Sequence, residues 1–169
     1  MLRLSSASFV VLAVGLLVAT VVDLRTRRIP NVVTGAMAGA GLGLAVFELG
    51  GISVGAAVLG CLVGLVLMLP GHALGATGAG DVKLMAAVGS LLGPLAVINA
   101  VLFTAIAGGV IAVTVAIQRR RLGTTLAGTG RMMAAPADVK QEIAAGTPAS
   151  RFAYGPALAA GSLIAALLQ

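Results

Sequence analysis

Apolar positions run along this chain in long unbroken blocks, not in the alternation of half-buried strands or the stripe of a surface helix. The first block is Phe9 to Val22; extended back to Ser5 it predicts a span 5–22, about 27 Å of helix at 1.5 Å per residue. That length crosses a hydrocarbon layer. Blocks at 32–47 and 52–69 predict two further spans, separated by the tight turn Glu48-Leu-Gly-Gly51, which carries no base. After Pro70 a small-residue segment, 71–80, leads into Asp81-Val-Lys83. The apolar stretch from Leu84 to Ile117 would rise about 51 Å as one helix, too long for a single crossing. Gly93-Pro94 divides it, giving spans 82–93 and 95–117. A long polar-containing loop, 118–151, precedes a last span at 153–168. The expected architecture is a single all-α, polytopic membrane domain of about six transmembrane helices.

The fourth span poses a problem of depth. Nine residues between Lys83 and Gly93 rise only about 14 Å, half a bilayer. Either the glycine-rich segment before Asp81 dips into the membrane or Gly93-Pro94 lies within it, and irregular backbone at that depth needs protein or a water-filled cavity around it. Asp81 is therefore expected to line a hydrated pocket just below the cytoplasmic surface. Arg3 ahead of the first block is also the mark of a signal peptide, but no small-x-small site precedes Asp23, so residues 1–22 read as a retained anchor. The spacings Gly35, Gly39, Gly43 and Gly60, Gly64 read as close-packing faces between helices.

Composition narrows the class. Of 169 residues 59% are hydrophobic, 24 more are glycine and only 9% are charged. A soluble domain carries about 25% charge, so neither a soluble enzyme nor a disordered chain fits. The mean hydropathy of +1.11 agrees. A net charge of +6 does not indicate nucleic acid here, because aromatics are 3%, Trp is absent, and the bases sit in clusters between apolar blocks. Such clusters anchor membrane proteins to the cytoplasmic side and to lipid headgroups. Placing Arg25, Arg27, Arg28, Lys83 and the bases of the long loop inside leaves only Arg3 outside, which puts both termini outside. The single cysteine, Cys61, lies in an apolar setting and reads as a packed thiol.

The chemistry falls to the carboxylates. Glu48, Asp138 and Glu142 read as solvated. Asp23 closes the first span and Asp81 opens the fourth, so both reach one layer, and a carboxylate at a membrane boundary is a functional hypothesis by default. A structural role is the competing reading: Asp23 pairing with Arg25 or Arg27, Asp81 pairing with Lys83 or capping its helix. Two carboxyls in contact cannot both ionise and share a proton. The charged member then takes a proton from an attacking water while the protonated member donates to a peptide carbonyl or leaving amine. This needs no metal and no cofactor. His72 lacks partners for a metal site, and Gly75 to Gly80 has neither a P-loop nor a dinucleotide order.

Three segments, Asp23-Leu-Arg-Thr-Arg-Arg-Ile-Pro-Asn31, Gly78-Ala-Gly-Asp-Val-Lys-Leu84 and Tyr154-Gly-Pro-Ala157, resemble motifs of the prepilin peptidases, the Gly-x-Gly-Asp class of membrane aspartic peptidases. The resemblance implies that Asp23 and Asp81 are the catalytic pair. It implies a prepilin or pseudopilin precursor as substrate, whose short basic leader is cut at the cytoplasmic face of the bacterial inner membrane. It further implies that Gly78 and Gly80 let the loop approach the substrate and that Lys83 tunes or anchors Asp81. Pro30 and Asn31 would set the start of the second span, with Pro30 in its first turn, and Tyr154, Gly155 and Pro156 would shape the start of the sixth. Many bifunctional members carry an inserted cytoplasmic domain with paired cysteines for methyl transfer. This chain has no such insert after its first span, which implies peptidase without methyltransferase activity, as in the short members serving Tad/Flp-type pili. The competing functions are a proton-relaying transporter or channel subunit, a non-enzymatic subunit of a secretion or pilus assembly, and a peptidase of archaellin-type precursors.

Overall fold

In a computed structural model the described residues are 4–74, 77–118 and 154–169. They form six helices and no strand: α1 Ser6–Thr26, α2 Asn31–Val46, α3 Val54–Ala73, α4 Ala79–Leu92, α5 Pro94–Gln118 and α6 Gly155–Leu167. The long-loop residues Asp138, Glu142, Arg119, Arg120, Arg121, Arg131, Lys140 and Arg151, and Arg3 at the start, lie outside the described residues.

Local chemistry sets the boundaries. The Ser5 hydroxyl accepts the Ser8 N–H at 3.1 Å to start α1, and Ser53 does the same for Ala56 at 3.2 Å to start α3. Helix α1 runs four residues past its expected end at 22 and takes in Asp23. It stops where Arg27 turns left-handed, φ 53°, with its N–H on the Asp23 carbonyl at 2.7 Å. Pro30 then holds Ile29 out of helical geometry and is itself the N-cap of α2, one position ahead of the first turn expected for it. Helix α3 does not break at Pro70 but continues through His72 to Ala73, so Pro70 costs one backbone bond and not the helix.

The helices are arranged as a ring about an axis. Each of α1, α2, α3, α5 and α6 touches the next, α6 closes on α1, and α4 packs against all five. From Asp81 to Leu92 every residue of α4 is buried except Lys83. Glycines make such closeness possible. A Cβ on Gly60 of α3 would overlap the carbonyl oxygen of Gly89 on α4, and one on Gly64 would stand 2.5 Å from the Met85 carbonyl oxygen. The expected packing series on α2 is different: Gly35, Gly39 and Gly43 face open space, while Gly41, on the buried side with Thr34, Met37 and Ala45, meets Ser90. Hydrophobic content could not separate the two sides, because both are apolar.

Between α4 and α5 the chain turns at Gly93. Helix α4 has 14 residues, about 21 Å. It ends at Gly93, φ 81°, which leads straight into Pro94 of α5. Gly93 is buried and lies beside Gly60, six positions or about 9 Å along α3. The turn is thus enclosed by protein, and its backbone is paired: the Gly93 N–H donates to the Gly89 carbonyl at 2.8 Å and the Gly93 carbonyl accepts the Val97 N–H at 3.1 Å.

The inner seam of Leu12 and Leu16 on α1, Leu84, Met85 and Val88 on α4, and Leu158 on α6 is fully buried or nearly so. Outward faces are apolar too: Val10, Val14 and Leu17 of α1 and Ile106 and Val110 of α5 are all more than half exposed. Helices apolar on every side are those of a protein solvated by lipid. Helices α1 and α3 and the segment Pro94–Ile111 of α5 are long and apolar enough to cross a membrane; α2 and α6 are shorter apolar helices.

Candidate active site

Because the helices alternate in direction, the end of α1, the start of α2, the end of α3 and the starts of α4 and α6 gather at one end of the bundle. This end holds Asp23, Asn31, His72, Asp81, Lys83 and Tyr154. The opposite end is closed by Ser8, whose hydroxyl donates to the Gly50 carbonyl at 3.0 Å, and by Gln169, whose amide donates to the Leu92 carbonyl at 3.4 Å.

Asp81 is the third residue of α4, and its Oδ2 accepts the N–H of the N-cap residue Gly78 at 2.9 Å. This is one arm of a capping box, and the helix N-terminus favours the negative charge. The helix-capping role weighed from sequence is therefore present, although the group is only 8% exposed. Gly78 itself is exposed, and a Cβ there would stand 3.3 Å from Asp81 Oδ2. Gly80 faces Ile29, whose Cβ would be 3.0 Å from an added methyl, so the α1–α2 turn lies directly on the start of α4.

Asp23 is 6% exposed and lies near the C-terminal end of α1, where the helix dipole disfavours an anion. Compensation comes from the far end of the chain: Gly155 N–H, at the first position of α6, donates to Asp23 Oδ2 at 3.0 Å. The two carboxylates are close enough for the charge of Asp23 to act on Asp81, and that of Asp81 on Tyr154. Asp81 stands one residue ahead of the apolar run 82–93. Burial pushes its carboxyl above the ordinary range, the Gly78 N–H pulls it back, and the negative Asp23 pushes it up again.

The remaining residues picked out by sequence also gather here. Lys83 Nζ donates to Asn31 Oδ1 at 2.9 Å, tying α4 to α2 rather than bonding Asp81. The Tyr154 ring packs on Gly108 of α5, where a Cβ would stand 2.7 Å from the ring and 3.0 Å from its hydroxyl. Pro156 occupies the first turn of α6, where no helical N–H is lost. His72 is exposed, and its Nδ1–H donates to the Thr77 carbonyl at 3.0 Å, closing the loop between α3 and α4. Among the described residues no three His, Cys, Asp or Glu side chains gather as a metal site. Sequence reasoning missed the seating of Ile29 against Gly80 and the Gly155 N–H on Asp23, since an N–H is common to every residue. The one hint for Gly155 was the proline after it, which marks a helix start.

Two buried acids from distant segments, each held by a backbone N–H and with the charge of Asp23 acting on Asp81, can activate a water against a peptide carbonyl. Comparison with known proteins bears on this geometry. A family model described as the type IV leader peptidase family matches residues 10–113, a stretch that contains both aspartates, Pro30, Asn31 and the Gly78–Lys83 segment but ends before Tyr154. No curated protein and no solved structure gives a match. The family match covers more than half of the chain, and the chain belongs to the type IV leader peptidase family.

Proposed function

We propose that the protein is a membrane aspartic endopeptidase that removes the basic leader of prepilin-type precursors at the cytoplasmic face of the bacterial inner membrane. The observation that carries this reading is the juxtaposition of Asp23 and Asp81, both buried, at the end of the bundle that also bears Arg25, Arg27, Arg28 and Lys83. By the positive-inside rule that end is cytoplasmic, which makes six crossings with both termini outside. A relay carboxylate of a transporter sits near the bilayer midplane, not at one face.

In the reaction one carboxylate, ionised, removes a proton from water as the water oxygen bonds to the peptide carbon. The other, protonated, gives its proton to the carbonyl oxygen. Collapse of the tetrahedral intermediate breaks the C–N bond, and the amine leaves with a proton returned through the pair. Asp81, whose burial and acidic neighbour favour its protonated form, is the donor, and Asp23 is the base. Gly78 and Gly80, one exposed and one half-buried, leave the α4 start open to an extended substrate strand. The turn from α1 to α2 spans only Arg27 to Pro30, in keeping with a peptidase that carries no methyl-transfer domain there and with a Tad/Flp-type precursor as substrate.

The test is co-expression with a Flp-type prepilin in cells lacking their own leader peptidase. Wild type is expected to shift the precursor to its mature gel mobility. Asp23→Asn and Asp81→Asn are each expected to lower cleavage by about four orders of magnitude, the loss typical of removing one member of an acid–base unit. Normal maturation by either variant refutes the reading.

A further inference from the structure

The first N–H of a helix has no partner within that helix. At α6 this group belongs to Gly155, and it donates to Asp23 across 132 positions of chain. Gly155 is buried, so bulk water does not replace the bond. Its missing side chain matters independently: a methyl there would stand 2.8 Å from Asp23 Oδ2, 3.1 Å from its Cβ and 3.3 Å from its Cγ. Asp81 takes its donor from the cap of its own helix, so local folding orients it. Asp23 sits at the unfavourable end of α1, and its Oδ2 receives the Gly155 N–H only once α6 has docked. That docking is made by Gly161, whose Cα side lies on the Thr104 backbone, and by Tyr154 on Gly108.

We propose that Gly155 is a positioning residue for Asp23: its backbone N–H fixes the carboxylate's orientation, and its lack of a side chain provides the space the carboxylate fills. The proposal rests on the aspartic peptidase reading above, and it is tested in two ways on the full chain in detergent micelles. The first is amide hydrogen exchange in wild type and Asp23→Ala. The Gly155 amide is expected to exchange about tenfold faster or more in the variant, the weight of a hydrogen bond to a charged group. The Leu158 amide, bonded to the Tyr154 carbonyl at 3.1 Å within α6, is expected to stay unchanged. An unchanged Gly155 rate overturns the proposal, and this arm does not depend on any Gly155 variant folding.

The second is prepilin cleavage by Gly155→Ala. The expected result is a kcat about tenfold lower with KM within about twofold, since the added methyl, 2.8 Å from Asp23 Oδ2, pushes the carboxylate off the Gly155 N–H. Gly161→Ala disturbs the same α5–α6 seam without touching Asp23; it is expected to lower thermal stability and leave the kcat of the folded protein within about twofold. An unchanged kcat in Gly155→Ala, or a loss that appears only in KM, overturns the positioning role. Failure of the underlying reading looks different, because Asp23→Asn would then still cleave whatever the Gly155 amide does.

Discussion

At the residue scale the site is built from two acids in opposite electrostatic settings. Asp81 lies at the favourable end of its helix and Asp23 near the unfavourable end of its own, yet each has one carboxylate oxygen on a backbone N–H. Burial and the neighbouring charge hold Asp81 above the usual carboxylate range. The expected pH profile for leader cleavage is therefore a bell. Activity falls toward acid as the pair takes up a second proton, and toward alkali as Asp81, its carboxyl raised, loses the proton it must donate. The two limbs belong to the pair jointly, so Asp23→Asn and Asp81→Asn abolish the curve instead of each removing one limb. Initial rates over a pH series on a peptide carrying the leader junction measure this, and a flat profile contradicts it. Both acids were legible in the sequence because charge is so rare in the chain. The helix cap at Asp81 was foreseen, but the Gly155 donor to Asp23 was not, because backbone groups carry no signature in a list of side chains.

At the element scale, closeness between helices is decided by which glycines face inward. Gly60→Ala forces a methyl against the Gly89 carbonyl and is expected to destabilise the α3–α4 pair by about 2 kcal/mol. Gly39→Ala, in open space on α2, is expected to be neutral or stabilising by about 0.5–1 kcal/mol, the helix-propensity gain alone. Thermal unfolding of the purified variants in one detergent separates the two. A Gly60→Ala protein as stable as wild type contradicts the packing. The lengths of α1, α2, α3 and α5 were readable as apolar blocks to within a few residues. The inward side of each helix was not, because lipid-facing and core-facing positions are equally apolar, so the Gly35, Gly39, Gly43 spacing pointed to the wrong face. Pro70 misled in the same way: a proline weakens one bond, and the neighbours around α3 keep its last turn helical.

At the scale of the whole molecule, all the described bases, Arg25, Arg27, Arg28 and Lys83, stand at the aspartate end, and Glu48 stands at the other. Single-cysteine variants in a Cys61→Ser background test the orientation this implies. A thiol placed by Glu48→Cys is expected to react with a membrane-impermeant maleimide on intact spheroplasts. One placed by Arg28→Cys is expected to react only after the membrane is opened. The reverse pattern would put the acids on the wrong side for a cytoplasmic cut. Six helices could be counted from the sequence, but not the ring, since nothing in residues 82–92 announces that they form the axis and not a rim.

That axis has a consequence for how the protein is made and lost. A middle helix with almost no surface of its own finds no lodging until the five around it are in place, and they in turn have nothing to close upon without it. Neither half of the polypeptide stands alone, so the fold is expected to dissolve in one step, and the proteolytic centre to vanish with the first helix that departs.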